Sequence, residues 1–279
     1  MDIKLIAFDL DGTLLDDHKE IPEANVSALA AAAEKGILIV PASGRIYRYM
    51  PEPVRSLPSA RYFITTNGGE VCDAQAGCVI YSAQIPLERA LQVFDHMKAL
   101  DVLYDCYADN TRYTERSFAE KADDYFTDPL MNAMLHSYIL KTRQETDDLR
   151  AFVTARNGPV QKMQMYFRDR EERLRQFKLL PELFPDLAIS TSLPNNIEIN
   201  SSDATKGKAL AALCKYLGIH REETMAFGDG LNDLDMMQFA GISVAMDNAD
   251  PLIKESASYV TASNNEAGIA KALEHFNIV

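Results

Sequence analysis

The feature that most constrains this chain is a short apolar run that stops dead at an acid: Leu5-Ile6-Ala7-Phe8, followed by Asp9. A run this continuous suits a strand buried on both faces, as in a parallel sheet, rather than one with a wet side. The same grammar recurs at Ile37–Val40, which ends in Pro41-Ala42-Ser43-Gly44-Arg45, and at Tyr62–Ile64, which ends in Thr65-Thr66-Asn67-Gly68-Gly69. Between the first two lies Pro22–Lys35, with Val26, Leu29 and Ala33 at helical spacing, proline at its start and Gly36 just past its end. Strand, helix, strand, each strand closing on small polar residues, predicts a doubly wound, mainly parallel α/β sheet.

The pattern returns near the end of the chain. Helix is expected over Gly207–Leu217, strand over Thr224–Phe227, helix over Leu231–Ala240, strands over Ile242–Ala245 and Tyr259–Thr261, and a closing helix over Asn265–Phe276. The middle reads differently. Gln161–Phe167, Leu187–Ser192 and Ile197–Asn200 mix or alternate polar and apolar residues, the mark of antiparallel strands with one wet face. Amphipathic helices are expected among them at Leu87–Leu100 and roughly Arg168–Leu180. The chain therefore divides into a core built from residues 1–81 and 195–279 and an inserted α+β cap domain of residues 82–194. The 279 residues are ample for this, so folding needs no disulfide or metal staple.

Charge and cysteine usage narrow the class of partner. With 41 acidic and 28 basic side chains the formal charge is −13, which repels polyanions and argues against nucleic acid or an anionic membrane as partner. A small phosphorylated molecule remains compatible, because a bound cation and a few local donors invert the field inside one pocket. Cys72, Cys78, Cys106 and Cys214 form no Cys-x-x-Cys pair and read as reduced thiols. No basic segment leads into an apolar run at the start, and no apolar stretch approaches the roughly 20 residues of a spanning helix. The expectation is a soluble, cytoplasmic protein; the oligomeric state is not legible.

Four short stretches fall where the core strands end: Asp9-Leu10-Asp11-Gly12-Thr13, Ser43-Gly44-Arg45, Lys206 at a helix start, and Gly228-Asp229-Gly230-Leu231-Asn232-Asp233. Open α/β sheets bind ligands outside the carboxyl ends of their strands, so these stretches should converge. Residues at i and i+2 of an extended segment point the same way, so Asp9 and Asp11 can address one site while Gly12 lets the chain turn off. Asp229 supplies a third carboxylate. Three acids in one crevice call for a cation, and hard oxygen ligands suit Mg²⁺. Lys206 and the Ser43 hydroxyl with the Gly44 N–H provide donors for an anion. Acids, metal and anion donors together describe phosphoryl transfer.

Taken singly, each stretch has a plainer reading: Asp-x-Asp-Gly as an Asx turn, Ser43-Gly44 as a turn, Lys206 as a solvated helix-start lysine. The calcium-loop pattern fails at Thr13 and Leu14, the Walker A pattern at Ser202 and Ala209, and the dinucleotide fingerprint at Asp233. What carries weight is their common position at strand ends.

In these four stretches, and in Lys206-Gly207-Lys208-Ala209-Leu210 and Thr66-Asn67-Gly68-Gly69, the chain resembles the haloacid dehalogenase superfamily, specifically its Cof-type phosphatase branch. Ser43 stands where the family usually has threonine, which keeps the hydroxyl. The resemblance implies a Rossmann-like core with an α+β cap, and an Mg²⁺-dependent phosphatase of small phosphomonoesters such as sugar phosphates. It implies Asp9 as nucleophile, giving an aspartyl-phosphate, and Asp11 as general acid and then base. It implies Mg²⁺ between the Asp9 carboxylate, the Asp11 main-chain carbonyl and the Asp229 carboxylate. Ser43, Gly44, Lys206 and Asn232 would hold phosphate oxygens. Asp233 would orient a metal-bound water, and Arg45 and Asn67 would touch substrate or brace the site. Transfer to a sugar hydroxyl, as in mutases of related fold, would use the same residues. A non-catalytic phosphometabolite-binding regulator is disfavoured because no acid is missing, and dehalogenation because it needs neither Asp11 nor Asp229. Within the cap, Tyr104, His136, Arg143 and Pro194-Asn195-Asn196 are open as leaving-group selectors or as structural residues.

Overall fold

A computed structural model describes residues 2–279. The chain opens with β1 (Leu5–Phe8), whose four side chains are all buried, and continues through β2 (Leu38–Pro41), β3 (Tyr62–Thr65), β4 (Glu70–Asp73) and β5 (Cys78–Ser82). It then forms β6 (Val102–Ala108), β7 (Thr111–Glu115), β8 (Arg143–Thr146), β9 (Lys162–Phe167), β10 (Leu187–Ser190) and β11 (Asn196–Ser201). It closes with β12 (Thr224–Gly228), β13 (Ile242–Ala245) and β14 (Tyr259–Val260).

Two compact units result, one of residues 2–82 with 204–279 and one of residues 83–203. In the first, the sheet runs β14-β13-β12-β1-β2 with every pair parallel. A parallel bridge between Ala42 and Ile64 hands β2 on to β3, which opens the antiparallel ribbon β3-β4-β5. β1 pairs with β2 on one edge and with β12 on the other, Leu5 facing both Leu38 and Thr224. The strand order thus reverses at β1 while all strands run parallel, and such a switch point opens a crevice at the carboxyl ends of β1 and β12. The helices Glu23–Glu34 and Gly268–His275 are tied together by the buried Asn25, whose Oδ1 accepts the Ala270 N–H at 3.0 Å.

The closing elements are broken where a uniform helix is expected. Residues 231–240 form a 3₁₀ turn, Leu231–Asp233, and then a helix, Leu234–Phe239. The final helix starts only at Gly268, after Ala267 takes a left-handed φ of 55°.

The inserted unit is one sheet of order β10-β11-β9-β6-β7-β8, antiparallel except between β7 and β8. Its apolar face, with Cys106, Met163, Met165, Ile197 and Ile199, packs on Val93, Phe94, Met97 and Val153 from the helices Leu87–Lys98 and Leu149–Arg156. The expected boundary at 194/195 falls just before β11, which pairs antiparallel with β9 and β10, so the insert extends to Asp203. The expected wet face is also corrected. Lys162, Gln164 and Glu198 alternate with apolar neighbours yet are buried, because Lys162 Nζ pairs with Glu198 Oε2 at 2.5 Å and Gln164 Nε2 donates to Glu198 Oε1 at 2.7 Å. No helix among the described residues is long and apolar enough to cross a membrane.

Candidate active site

β1 delivers Asp9 to the crevice still in register, its N–H donating to Phe227 O at 3.1 Å. The chain then coils tightly, Leu15 N–H to Leu10 O at 2.8 Å and Leu14 N–H to Asp9 O at 3.3 Å. The turn requires Gly12, whose φ is +88° and whose missing Cβ would lie 2.3 Å from Asp229 Oδ2. Thr13, fully buried, donates its hydroxyl to Asp229 Oδ1 at 2.7 Å and so fixes the acid delivered by β12.

Lys206 is the first residue of the helix Lys206–Leu217, whose N-cap is Thr205, the hydroxyl oxygen accepting Lys208 N–H at 3.2 Å. Its side chain is fully buried and its ammonium donates to Asp9 Oδ1 and, at 2.5 Å, to Asp233 Oδ1. The other Asp233 oxygen accepts the N–H groups of Asp229 and Gly230, each at 3.0 Å. One carboxylate oxygen from each of Asp9, Asp229 and Asp233 lies within 4.8 Å of the others.

The electrostatics follow from this crowding. Burial drives the Asp9 carboxyl up, Lys206 pulls it down and Asp233 and Asp229 push it up again, leaving it at about 7. Burial likewise raises Asp229 to about 6, against the pull of the Thr13 hydroxyl. For Lys206 burial disfavours the charge, but Asp233 and Asp9 outweigh it and the ammonium is held above its ordinary value. Carboxylates forced toward neutrality by burial and by one another are what a divalent cation relieves, and an all-oxygen donor set suits a hard one. The residues present therefore fit a metal.

The Asp11 carboxylate is engaged by cations other than Lys206. The side chain turns to Arg45, which donates from Nη2 at 3.0 Å to both carboxylate oxygens and from Nε at 3.2 Å to Oδ2. Lys19 Nζ adds a bond to Oδ1 at 2.9 Å. Burial raises the Asp11 carboxyl, but Arg45 and Lys19 outweigh it and hold the group below its ordinary value. Arg45 also ties the second stretch in, its N–H donating to Ser43 Oγ at 3.2 Å. Ser43 is buried, and its carbonyl accepts the Asn67 N–H at 3.0 Å. A Cβ on Gly44 would meet Asn67 Oδ1 at 2.9 Å, so the two loops lie in contact. Asn232 is exposed, its amide oxygen beside Gly230, where an added Cβ would be 2.7 Å from it.

Three contributors had no sequence signal beyond their neighbours: Lys19, Asn248, whose amide donates to Gly12 O at 2.8 Å, and Asp235, whose carboxylate accepts Gly207 N–H at 3.0 Å. Of the open cap positions, Arg143 is buried against Asp105, Tyr104 donates to Glu115 Oε1 at 2.9 Å, and His136 sits on the surface against Asp123. Asn196 closes the Ser192–Asn196 turn by accepting the Ser192 and Leu193 N–H groups. Each therefore has a structural partner inside the insert.

A family model described as haloacid dehalogenase-like hydrolase matches residues 6–273. The chain belongs to this family. It is 34% identical over 277 residues to 5-amino-6-(5-phospho-D-ribitylamino)uracil phosphatase YcsE of Bacillus subtilis, covering 99% of this chain and 96% of that protein. The crystal structure of TM0651 from Thermotoga maritima superposes with a TM-score of 0.81 at 30% identity, covering 98% of this chain and 97% of that one. The sugar phosphatase BT4131, described as subclass IIB of the superfamily, superposes with a TM-score of 0.80 at 27% identity over 99% of this chain and all of that one. This haloacid dehalogenase-like hydrolase is a phosphatase with a doubly wound α/β core and an α+β insert.

Proposed function

We propose that this phosphatase hydrolyses small phosphomonoesters, sugar phosphates or related metabolites, with Mg²⁺ and through an aspartyl-phosphate on Asp9. The observation that carries the reading is the buried Lys206 ammonium bonded to the Asp9 carboxylate, with Asp229 and Asp233 alongside. A carboxylate is a weak nucleophile, and here Lys206 orients one Asp9 oxygen, leaving the other to attack phosphorus in line. The P–O bond to the alcohol breaks as the Asp9–phosphorus bond forms. Asp11 must take up a proton against the pull of Arg45 and Lys19 before it can give one to the departing alkoxide; it then takes one from the water that cleaves the acyl-phosphate, returning Asp9 as carboxylate and releasing inorganic phosphate.

Ser43, the Gly44 N–H, Lys206 and Asn232 hold the transferring oxygens. Asp9, the Asp11 main-chain carbonyl and Asp229 would hold Mg²⁺, with Asp233 orienting its water; when bound, the ion screens the phosphate's charge from the acids. Arg45 and Asn67 brace the site or meet the substrate. The four cysteines, all free thiols, fit a cytoplasmic setting.

The test is phosphate release from p-nitrophenyl phosphate and a panel of sugar phosphates. Turnover should require Mg²⁺, vanish with EDTA, and fall at least about 1,000-fold in Asp9→Asn. Activity indifferent to both would overturn the reading, and an isomerised or bisphosphorylated sugar among the products would favour transfer over hydrolysis.

A further inference from the structure

We infer that Lys19 is a positioning residue that sets the orientation of the Asp11 carboxylate during turnover; the inference rests on the proposed acid–base role of Asp11. Lys19 occupies the tip of a tight turn. Asp16 N–H donates to Glu20 O at 2.9 Å, Lys19 N–H to Asp16 O at 3.0 Å, and Asp16 Oδ1 accepts the N–H groups of His18 and Glu20, each at 2.9 Å. Within this turn Lys19 has a φ of 66°, a left-handed conformation that residues carrying a Cβ populate sparsely. Backbone strain of this kind persists where the surroundings over-determine it, and it concentrates at functional positions. Glycine or asparagine would satisfy the turn at less cost. What lysine adds is the ammonium, and it reaches Asp11 Oδ1 at 2.9 Å.

The Asp11 side chain is 40% exposed, so packing alone does not fix its rotamer. Two cations do that. Arg45 grips the carboxylate from the second loop and Lys19 from the turn that follows the nucleophile. An acid that must reach the leaving oxygen and then a water loses rate steeply when its carboxyl is free to swing. Removing one of two charge-assisted anchors should therefore lower the rate of the step that depends on Asp11, without touching Asp9, the acid that meets phosphorus.

The experiment compares Lys19→Gly, Lys19→Asn and Lys19→Arg on two substrates, glucose 6-phosphate and p-nitrophenyl phosphate. The first expels a strongly basic alkoxide that needs the proton; the second expels a phenolate that leaves without one. In Lys19→Gly and Lys19→Asn, kcat/KM for the sugar phosphate should fall about tenfold and for p-nitrophenyl phosphate less than about threefold, with a melting temperature no lower than that of the parent. Lys19→Arg should recover most of the loss. A purely structural lysine would lower both substrates alike together with the melting temperature, and that outcome, or parental kcat/KM in the glycine variant, would overturn the inference. Asp11→Asn separates the two readings. If it retains parental turnover on the sugar phosphate, the acid–base role itself is wrong. If it is inactive while Lys19→Gly is unimpaired, only the inference about Lys19 fails.

Discussion

A single missing side chain holds the loop after Asp9 together. Gly12 has a φ of +88°, and any Cβ there would press on the Asp229 carboxylate at 2.3 Å. Gly12→Ala should cost about 1–3 kcal/mol of stability, from strain plus overpacking, and push Asp229 off its Thr13 bond, so that, with the Mg²⁺ proposed for this site, half-maximal activity should need at least about tenfold more of the ion. Urea unfolding and a metal titration of turnover measure the two effects; an alanine variant with unchanged metal response would show that Asp229 tolerates the shift. The convergence of Asp9, Lys206 and Asp229 was legible because Asp9 and Asp229 follow the ends of apolar runs and Lys206 opens a helix, places where sequence pattern is sharp. The partners of the Asp11 carboxylate were not legible. An i, i+2 rule assumes extended chain, but the backbone curls at once after Asp9, with bonds back to Asp9 O and Leu10 O, and the second carboxylate is claimed by Arg45 and Lys19. Lys19 itself gave no signal, since an exposed lysine in a turn reads as solvated until its φ and its partner are known.

Among the secondary-structure elements, the helix that carries Lys206 is placed by a close approach at its second residue. Gly207 lies against the helix Leu234–Phe239, where an added Cβ would be 2.5 Å from Asp235 O, and its N–H is taken by the Asp235 carboxylate at 3.0 Å. Gly207→Ala should force the two helices apart, destabilise the fold by about 1–3 kcal/mol and lower turnover by displacing the Lys206 ammonium from Asp9. Denaturant melts alongside kcat measure both; full activity with normal stability would mean the helices yield freely. The core strands and flanking helices were legible because solid apolar runs and proline–glycine punctuation are local signals. In the insert the pattern misled. β9 reads Lys-Met-Gln-Met-Tyr-Phe, an alternation that implies water on one side, yet every position is buried. Ion pairs and amide bonds formed across strands distant in sequence, Lys162 and Gln164 with Glu198, satisfy the polar half, and no window of single-chain periodicity contains that information.

Across the whole molecule, the site makes stability depend on pH in an unusual sense. In metal-free protein Asp9 titrates at about 7 and Asp229 at about 6, against 3.8 for an ordinary aspartate, so the folded state keeps protons that the unfolded chain has already released. A carboxyl raised in this way costs nothing while both states are protonated. Its penalty grows as pH climbs from about 4 to about 7, and stability falls across that window. Asp73 acts in the other direction. Its bonds from Arg61 hold it down at about 2, so its contribution is present above about pH 4 and disappears on further acidification. In EDTA, urea midpoints should therefore decline from pH 5 to pH 7.5, and Asp9→Asn should flatten that decline; an identical slope in the variant would refute the assignment. The seating of β1 between β2 and β12 has a consequence for biosynthesis. The strand that leads into Asp9 gains its first neighbour early, at Leu38–Pro41, and its second only when Thr224–Gly228 has left the ribosome. Until then it offers a bare edge to other nascent polypeptides, while the insert can already have folded. Prematurely terminated products that stop short of β12 should consequently be both inert and prone to stick, and correct synthesis of this protein depends on keeping that edge covered while the last third is being made.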